Sequence, residues 1–538
     1  MRYPHPVSTT RRILCVFPAY APSFGTFSHA YPLFGRVRAF MPPQGLLLIA
    51  AYMPEQWPVR FVDENMGPAG DEDLAWADVV MVSGMHIQAP QIHDICRRAK
   101  AAGKVTALGG PSVSGAREMY PDYDYLHVGE LGDGTDRLIA CLDRSCTPPP
   151  AQVVFATGER LPLPDFPVPA YHLVRLDRYL LGSLQFSSGC PYRCEFCDIP
   201  ALYGRQPRLK TPEQITAELD AMMAQGRYPT FIYFVDDNFI GNKKATRDML
   251  PHLIAWQKKH GHPLRFGCEA TLNLAKQPEI LELMRAAEFQ TVFVGIETPE
   301  VDALKQMRKE HNATLPILEG INTLNSYGLE VTSGIILGLD TDSGDTEARL
   351  KAFIDASNVP ILTINLLQAL PKTPLWDRLK RDNRLHRDDA GLESNVVFLR
   401  PYDEVVATWR RAVAHAYAPE RLFKRFLHQV EATYANRLVG PVRGKLTWNN
   451  LSLALVLAFN IAWRIGIFAD YRRWLWKAVL PALRRGQVDA AFSMAVVGHH
   501  MITFSREAIR GEQNASFYSA QTRRSMSMTT PPTAALAG

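Results

Sequence analysis

The sequence predicts an α/β protein with an N-terminal doubly wound parallel sheet, a central (β/α)6 partial barrel and a helical C-terminal domain. Short apolar runs alternate with helix-like segments up to about Arg400, which is the pattern of parallel sheets. Most of the runs are continuously apolar, as in strands that are covered on both faces. At 538 residues the chain is long enough to bury more than one hydrophobic core.

The strand candidates of the first region, residues 11–145, predict the doubly wound sheet. They are ILCVF (13–17), VRFVDE (59–64), DVVMVSG (78–84), KVTALGG (104–110) and YLHVGE (125–130). Several of them end in Gly, Asp or Glu, and ligands of such sheets bind beyond the carboxyl ends of the strands. The proline-rich residues 146–181 are expected to form a linker with one hairpin strand.

Residues 182–400 contain a second set of strand candidates, separated by amphipathic segments, which predicts the partial barrel. They are SLQFSSG (183–189), TFIYFVDDN (230–238), LRFGCEAT (264–271), TVFVGIET (291–298), EVTSGIILGLD (330–340) and ILTINLLQALP (361–371). Barrels of this type place their active sites at the C-terminal ends of the strands.

The C-terminal part of the chain lacks strand signals. Residues 401–510 are expected to be helical, and residues 511–538, rich in Ser, Thr, Ala and Pro, to be disordered. The apolar run 451–468 is close to the length of a membrane span, but Asn460 and Arg464 share one helical face. The Trp, Arg and Lys residues that follow favour a helix lying at a membrane interface; a buried core helix is the alternative.

Charge and cysteine content predict a cytoplasmic protein that does not bind nucleic acid. The net charge of +5 is small for a chain of this size. The N-terminal residues carry no pattern of a secretory signal. Most of the eight cysteines are scattered without a disulfide framework, which is typical of a reducing compartment.

Three of the cysteines, Cys190, Cys194 and Cys197, lie together in SSGCPYRCEFCDIP, directly after the first barrel strand. Their C-x3-C-x2-C spacing allows the thiolates to converge on one metal centre. A structural zinc site needs four ligands, and no suitable Cys or His pair follows. A 4Fe–4S cluster with three protein ligands leaves one iron open for another molecule. A zinc site or a purely electron-transferring cluster remains the alternative.

The segment CPYRCEFC resembles the cluster loop of the radical S-adenosylmethionine (radical SAM) enzymes, with Phe196 as the aromatic residue before the last cysteine. In that family the open iron binds SAM, which is cleaved to a radical that abstracts hydrogen. The resemblance implies SAM contacts from Asp236 and Asp237 after the second strand, where the family usually has a Gly-Gly-Glu-like turn. Glu269 and Glu297, at the next two strand ends, are further candidates. For each acid, a helix N-cap or a salt bridge is the alternative.

The first region resembles the flavodoxin-like, cobalamin-binding domains that are fused to many radical SAM enzymes. A corrin lies flat on strand ends, so that small residues and backbone groups must form its cradle. The residues that match are Ser83, Gly84, Gly109, Gly110, Pro111, Gly129 and Glu130. The Asp-x-His-x-x-Gly motif that ligates cobalt in other proteins is missing, and Met85 and His86 lie on the corresponding loop. A sheet that binds another ligand, or that only packs, is the alternative.

Longer segments, including SFGTFSHAYPLFGRVRAFMPPQGLLLIAAYMPE and YFVDDNFIGNKKA, resemble the bacterial hopanoid C-2 methylases over most of residues 11 to about 510. The resemblance implies methylation of ring A of a hopanoid lipid at C-2, with two SAM consumed per turnover. It further implies a flavodoxin- or ferredoxin-type electron donor and a peripheral position on the inner membrane. The alternatives are a non-methylating rearrangement or cyclisation, methylation of another lipid or natural product, and a corrinoid- or metal-binding protein without radical chemistry.

Overall fold

A computed structural model describes residues 3–386, 392–438 and 448–512. It contains two six-stranded parallel sheets followed by a helical region, as the sequence predicts. The sequence predicts disorder for residues 511–538. Residues 513–538 of this segment lie outside the described residues.

The N-terminal sheet has the strand order β2-β1-β3-β4-β5-β6, and all its pairings are parallel. Its strands are β1 (Ile13–Phe17), β2 (Val59–Asp63), β3 (Val79–Ser83), β4 (Val105–Gly109), β5 (Tyr125–Val128) and β6 (Val153–Ala156). The expected hairpin strand within residues 146–181 is wrong, because β6 pairs in parallel with β5 and extends this sheet. Separate hydrophobic clusters cover the two faces, which explains the continuous apolarity of the strands.

The second sheet has the order β14-β13-β12-β11-β10-β7, which is the open arrangement of a partial barrel. Its strands are β7 (Gly182–Leu184), β10 (Phe231–Phe234), β11 (Arg265–Ala270), β12 (Phe289–Glu297), β13 (Glu330–Leu337) and β14 (Ile361–Leu366). A short antiparallel pair, β8 (Ser187–Ser188) and β9 (Arg208–Leu209), flanks the cysteine loop.

Helices cover both sheets. Those of the N-terminal region are α1 (Tyr31–Phe34), α2 (Gln44–Tyr52), α3 (Asp71–Trp76), α4 (Ala89–Ala101), α5 (Pro111–Gly115) and α6 (Asp133–Arg144). Those of the barrel are α7 (Ile199–Leu202), α8 (Pro212–Met223), α9 (Lys243–Lys259), α10 (Pro278–Ala286), α11 (Val301–Gln306), α12 (Ile317–Ser326), α13 (Thr346–Ser357) and α14 (Pro374–Arg381). Helix α8 begins as its sequence predicts, with Thr211 accepting from the backbone N–H of Gln214 at 3.3 Å.

The C-terminal helices pack onto the barrel. They are α15 (Tyr402–Ala416), α16 (Pro419–Ala432), α17 (Trp448–Asn460), α18 (Arg472–Arg484) and α19 (Val488–Ile509). Trp409 Nε1 donates to the carbonyl oxygen of Ile364 in β14 at 2.8 Å. Buried residues of the barrel and of these helices form one continuous hydrophobic cluster. The helical region therefore shares its core with the barrel.

The apolar run 451–468 has one buried face and one exposed face. It forms most of α17 and continues into a π-helical turn, Ile461–Ile467. Leu457, Ile461 and Ile465 are buried, whereas Leu455 and Phe459 are 63% and 65% exposed. The alternative of a buried core helix thus holds for one face of this run and not for the other. Among the described residues, no helix has the length and apolarity needed to cross a membrane.

Candidate active site between the two sheets

One cavity of about 1100 Å³ joins the N-terminal sheet to the barrel. The C-terminal ends of β3, β4 and β5 border it on one side. Residues that follow β7 and β10, Glu269 near the end of β11, and inward-facing residues of the barrel strands border it on the other. All seven residues predicted to cradle a corrin line this cavity: Ser83, Gly84, Gly109, Gly110, Pro111, Gly129 and Glu130. Parallel strands of two domains therefore point their ligand-binding ends at one shared space.

At Gly110 the glycine cradle has no room for a side chain. Gly110 has a φ of +91°, and a Cβ at this position would lie 2.4 Å from Ser83 Oγ. Next to the cradle, the cavity continues as a slot between helices α2 and α6. Its walls are Leu46, Ile49, Met53, His127, Thr135 and Leu138. The cradle and the slot together form a broad surface with a deep, mostly apolar extension.

The loop that follows β3 turns Met85 towards the cavity and His86 away from it. His86 is buried, and its Nδ1 lies 3.0 Å from Ser112 Oγ. Burial lowers the pKa of this imidazole to about 4. His86 thus serves the packing behind the cradle.

The cysteine loop is fixed by backbone hydrogen bonds at both ends. The N–H of Cys190 donates to the carbonyl oxygen of Gly204 at 3.2 Å, and the N–H of Glu195 to that of Met307 at 2.9 Å. Gly189, with φ +98°, permits the sharp turn that leads into the loop. The three cysteines are half-buried and are not among the residues that line the cavity, whereas Ser188 and Tyr203 are.

The thiols share one environment that is largely shielded from water. Burial raises the pKa of Cys190 and of Cys197, and that of Cys194 to about 11, so that they hold protons until a metal displaces them. Within the described residues, no group of three or more Cys, His, Asp or Glu side chains stands at the spacing of a single-ion site. A cubane cluster spaces its ligands more widely, because each thiolate binds a different iron.

Asp236 and Asp237, which follow β10, take different positions. Asp236 is 1% exposed and accepts hydrogen bonds from the backbone N–H groups of Phe186, at 3.1 Å, and Ser187. Asp237 borders the cavity and accepts from the N–H of Gly189 at 2.7 Å. Burial raises the pKa of Asp236 to about 7 and that of Asp237 to about 6. Both carboxyls thus hold the strand that leads into the cysteine loop.

The two predicted glutamates differ as well. Glu269 is accessible in the cavity yet surrounded by protein, and desolvation together with the nearby Asp237 and Asp236 raises its pKa to about 7. Glu297 lies outside the cavity wall and forms a buried ion pair with Lys309, 2.5 Å between Nζ and Oε1. Phe196 is also outside the wall, and its ring centroid lies 5.5 Å from Lys309 Nζ.

Glu130 connects the two sheets. Its carboxylate lies 2.5 Å from Arg208 Nη2 and 3.2 Å from Arg160 Nη1. It also accepts from the hydroxyl of Ser188 at 3.0 Å. The cradle loop after β5 is thereby tied to the β8–β9 pair beside the cysteines.

Several residues of this site were not found from the sequence: Arg160, Ser188, Tyr203, Arg208 and Lys309. Arg208 and Lys309 lie in segments with no motif, and only the folded chain brings them to the site. The position of Ser188 directly before the cysteine loop was a signal that could have found it.

The comparisons with known proteins agree with this geometry. Residues 184–353 match the Radical SAM superfamily, and residues 373–514 match a domain of unknown function, DUF4070. Over 515 residues the chain is 59% identical to the hopanoid C-2 methylase of Rhodopseudomonas palustris (strain TIE-1), covering 96% of this chain and 97% of that relative. The chain belongs to the hopanoid C-2 methylase family.

Solved structures confirm the predicted fold class for this member of the hopanoid C-2 methylase family. The cobalamin-dependent SAM radical enzyme OxsB aligns with a TM-score of 0.59 at 13% identity, covering 97% of this chain and 84% of that chain. The radical SAM methyltransferase TsrM from Kitasatospora setae aligns with a TM-score of 0.54 at 16% identity, covering 93% and 100%. At these identities the likeness concerns the fold.

The residues present fit the groups that the hopanoid C-2 methylase family implies. Beside the cysteine loop, buried polar atoms without a protein partner include Asp236 Oδ2 and both amide atoms of Asn238. Such atoms are costly unless a ligand satisfies them. Across the cavity, the cradle at Gly109 and Gly110 and the adjoining slot fit a flat macrocycle with an extended arm. The donor set of three thiols suits an iron–sulfur cluster with one open iron.

Proposed function

We propose that this protein methylates C-2 on ring A of a hopanoid lipid, with a 4Fe–4S cluster, SAM and cobalamin as cofactors and two SAM consumed per turnover. The observation that supports this most directly is the single cavity that places the glycine cradle opposite the strand ends beside the cysteine loop. When bound, the cluster and SAM supply hydrogen-atom abstraction, and cobalamin supplies the methyl group. The high identity to a named hopanoid C-2 methylase supports the choice of substrate.

Residues on the two sides of the cavity have different roles. Cys190, Cys194 and Cys197 hold the cluster, and Asp237 orients their loop through the N–H of Gly189. Glu269 is placed to accept hydrogen bonds from the ribose hydroxyls of SAM or to face its positively charged sulfonium. On the facing side, the glycines let a corrin approach the strand ends closely. The enclosed walls keep water away from the reacting carbon.

The protein works at the membrane surface and receives electrons from a flavodoxin- or ferredoxin-type donor. A hopanoid is a membrane lipid, so that its modification requires access to the bilayer. The exposed apolar face of α17 supports such a peripheral position.

The test is an anaerobic reconstitution of the full chain with iron, sulfide and cobalamin, followed by incubation with SAM, a reductant and a hopanoid. We expect a hopanoid with one added methyl group by mass spectrometry, together with S-adenosylhomocysteine and 5′-deoxyadenosine. Cys194→Ala abolishes cluster iron and product, whereas Cys141→Ala, a half-buried thiol on α6, leaves both unchanged. Release of 5′-deoxyadenosine without S-adenosylhomocysteine or methylated lipid would contradict methyl transfer.

A further inference from the structure

Helix α17 separates the cavity from the outside of the molecule. Leu457, on its inner face, is 7% exposed and lines the cavity. Asn460 Nδ2 donates to the carbonyl oxygen of Leu33 at 2.9 Å, which joins the end of α17 to α1. The same helix therefore contributes both to the wall of the site and to the surface of the protein.

The outer face of this helix and of the π-helical turn that follows it carries an apolar ridge. We define the ridge as Leu451, Leu455, Phe459, Trp463, Ile467 and Phe468, all between 43% and 65% exposed. The first four recur every fourth residue, so that they follow one side of the helix. The rings of Phe459 and Trp463 are stacked, with centroids 6.3 Å apart and an interplanar angle of 6°. Single exposed apolar residues are ordinary, but a contiguous set marks an interaction surface.

Unpaired cations lie next to the ridge. Arg472, Arg473 and Lys477 on α18 are exposed and form no ion pair with a carboxylate in the described part of the chain. Trp476 Nε1 donates to the carbonyl oxygen of Gly466 at 3.0 Å, which joins α18 to the π-helical turn. Between residues 448 and 485 the sequence contains a single acidic residue, Asp470. Apolar side chains, tryptophans and excess positive charge together match the surface of an anionic bilayer.

Behind α17 the cavity is apolar and aromatic. Its lining there includes the apolar side chains of Phe24, Phe27, Phe34, Phe40, Leu457, Phe492, Val496 and Val497, together with Ser23, Thr26 and Ser493. The rings of Phe27 and Phe40 are stacked at 5.8 Å between centroids. This apolar chamber is continuous with the part of the cavity that Asp237 and Glu269 border. The same cavity thus extends from the inner side of α17 to the strand ends, past polar lining residues that include Glu330, Thr332 and Asn365.

We propose that the ridge rests on an anionic lipid bilayer and that the polycyclic lipid enters from the bilayer beside α17, through the chamber, to the strand ends. This inference rests on the proposed function, since it names the route of that substrate. Exposing a large hydrocarbon to water costs a free energy of about 25 cal/mol for each Å² of apolar surface. A route that begins in the bilayer and continues between aromatic walls avoids this cost.

The docking surface is tested with full-length protein in flotation assays on phosphatidylcholine vesicles with and without phosphatidylglycerol. For Leu455→Glu/Phe459→Glu we expect vesicle binding at least about tenfold weaker, because two apolar anchors are lost. Leu399→Glu is the matched control, since Leu399 is 66% exposed outside the ridge, and it binds like wild type. Arg473→Gln/Lys477→Gln weakens binding to the anionic vesicles by roughly fivefold per charge and leaves neutral vesicles unaffected.

If the ridge variant and Leu399→Glu lose vesicle binding equally, the proposed docking surface is wrong. It is also wrong if the wild-type protein binds no vesicles. Sedimentation velocity without lipid provides a second measurement. A dimer that the ridge substitutions dissolve would assign the ridge to a second copy of the chain and would also overturn the proposal.

The entry route is tested by turnover with the hopanoid either embedded in vesicles or dissolved in detergent. The ridge variant loses activity only on vesicles, because detergent delivers the lipid without docking. Val497→Trp, which narrows the chamber, lowers turnover in both forms and leaves vesicle binding unchanged. Full turnover of Val497→Trp, or an equal loss of the ridge variant in both forms, overturns the route. A wild-type enzyme that cleaves SAM but methylates hopanoid in neither form contradicts the proposed function instead, and the flotation result still decides the surface.

Discussion

Lys309 is a buried cation between the cysteine loop and the end of β12. Its ammonium and the Glu297 carboxylate are 8% and 10% exposed, and although burial lowers the pKa of Lys309, the charge of Glu297 holds it above the ordinary value. Glu297 has a φ of +65°, which is rare for a residue with a side chain and is held here by the surrounding contacts. The ion pair thus fixes a strained strand end directly beside the cluster ligands.

Removing one partner of this pair should be costly. For Lys309→Met we expect the free energy of unfolding to fall by about 3–5 kcal/mol, because Glu297 is left as an unpaired buried charge. The shift of the urea midpoint in ligand-free protein measures this. Lys309→Met/Glu297→Gln should recover much of the loss.

The exposed pair of Asp302 and Lys305 provides the control for that experiment. It spans 3.5 Å with side chains 92% and 60% exposed, so that Lys305→Met should cost less than about 1 kcal/mol. If Lys309→Met and Lys305→Met lower the free energy of unfolding equally, the buried pair stabilises the protein no more than the exposed pair does.

Glu269 has a carboxylate with a raised pKa and, among the described residues, no hydrogen-bond partner for its side chain. Its pKa is about 7 in the folded chain against an ordinary value of 4.5, so that the folded state retains a proton that the unfolded state has lost. The ionised form therefore destabilises the ligand-free protein increasingly as the pH rises from about 4.5 to 7, and by a constant amount above.

We expect Glu269→Gln to stabilise the ligand-free protein relative to wild type at pH 8, and to have a much smaller effect at pH 5. Thermal unfolding of both proteins across this range checks the prediction. A difference that is independent of pH would mean that Glu269 is already ionised at pH 5. With SAM added at pH 8, wild type should be more stable than Glu269→Gln, because the positive charge of SAM favours the ionised carboxylate of Glu269.

Glu130 connects the loop after β5 to the β8–β9 pair. Arg208 already has two buried nitrogens, Nε and Nη1, without a protein partner. Losing the Glu130 carboxylate would leave Arg208 Nη2 with only its bonds to Ser188 Oγ and the carbonyl oxygen of Tyr203, at a cost of about 1–3 kcal/mol. The position of the cradle relative to the cysteine loop depends on this contact.

For Glu130→Gln we expect faster backbone hydrogen exchange in residues 187–209 and weaker cobalamin binding, with the unfolding of the N-terminal sheet little changed. Glu159→Gln, an exposed carboxylate nearby, is the matched control and should change neither quantity. Unchanged exchange in the Glu130 variant would show that other contacts hold the two elements together.

The strands could be predicted from the sequence because each is a short, continuously apolar run with a turn at its end. Candidate ligands could be predicted wherever chemistry depends on position along one strand, as for the cysteine loop and the glycine cradle. Strand β6 was misread, because a run with alternating burial at a sheet edge resembles a hairpin strand. Lys309 and Arg208 could not be predicted, since their role depends on contacts between segments that are distant along the chain.

The whole molecule is organised as two folding units around one cavity. The N-terminal sheet has its own two hydrophobic clusters, whereas the barrel and the C-terminal helices share a single cluster. Hydrogen bonds cross from the C-terminal region to the strands: Trp409 of α15 to Ile364 of β14, and Arg437 Nη2 to the carbonyl oxygen of Gln290 in β12 at 2.7 Å. The helical region therefore cannot unfold alone without exposing the underside of the barrel.

This organisation predicts which parts of the protein a substitution in the shared core destabilises. Trp409 is 3% exposed, and Trp409→Ala should cost about 3–5 kcal/mol, because it leaves a cavity and an unpaired carbonyl. In hydrogen-exchange mass spectrometry at low denaturant, we expect the variant to lower the protection of barrel peptides and of C-terminal peptides by the same free energy. Peptides from β3 to β5 should keep their wild-type protection, because their core is separate. Loss of protection confined to the C-terminal helices would instead make the helical region an independent unit that is merely docked onto the barrel.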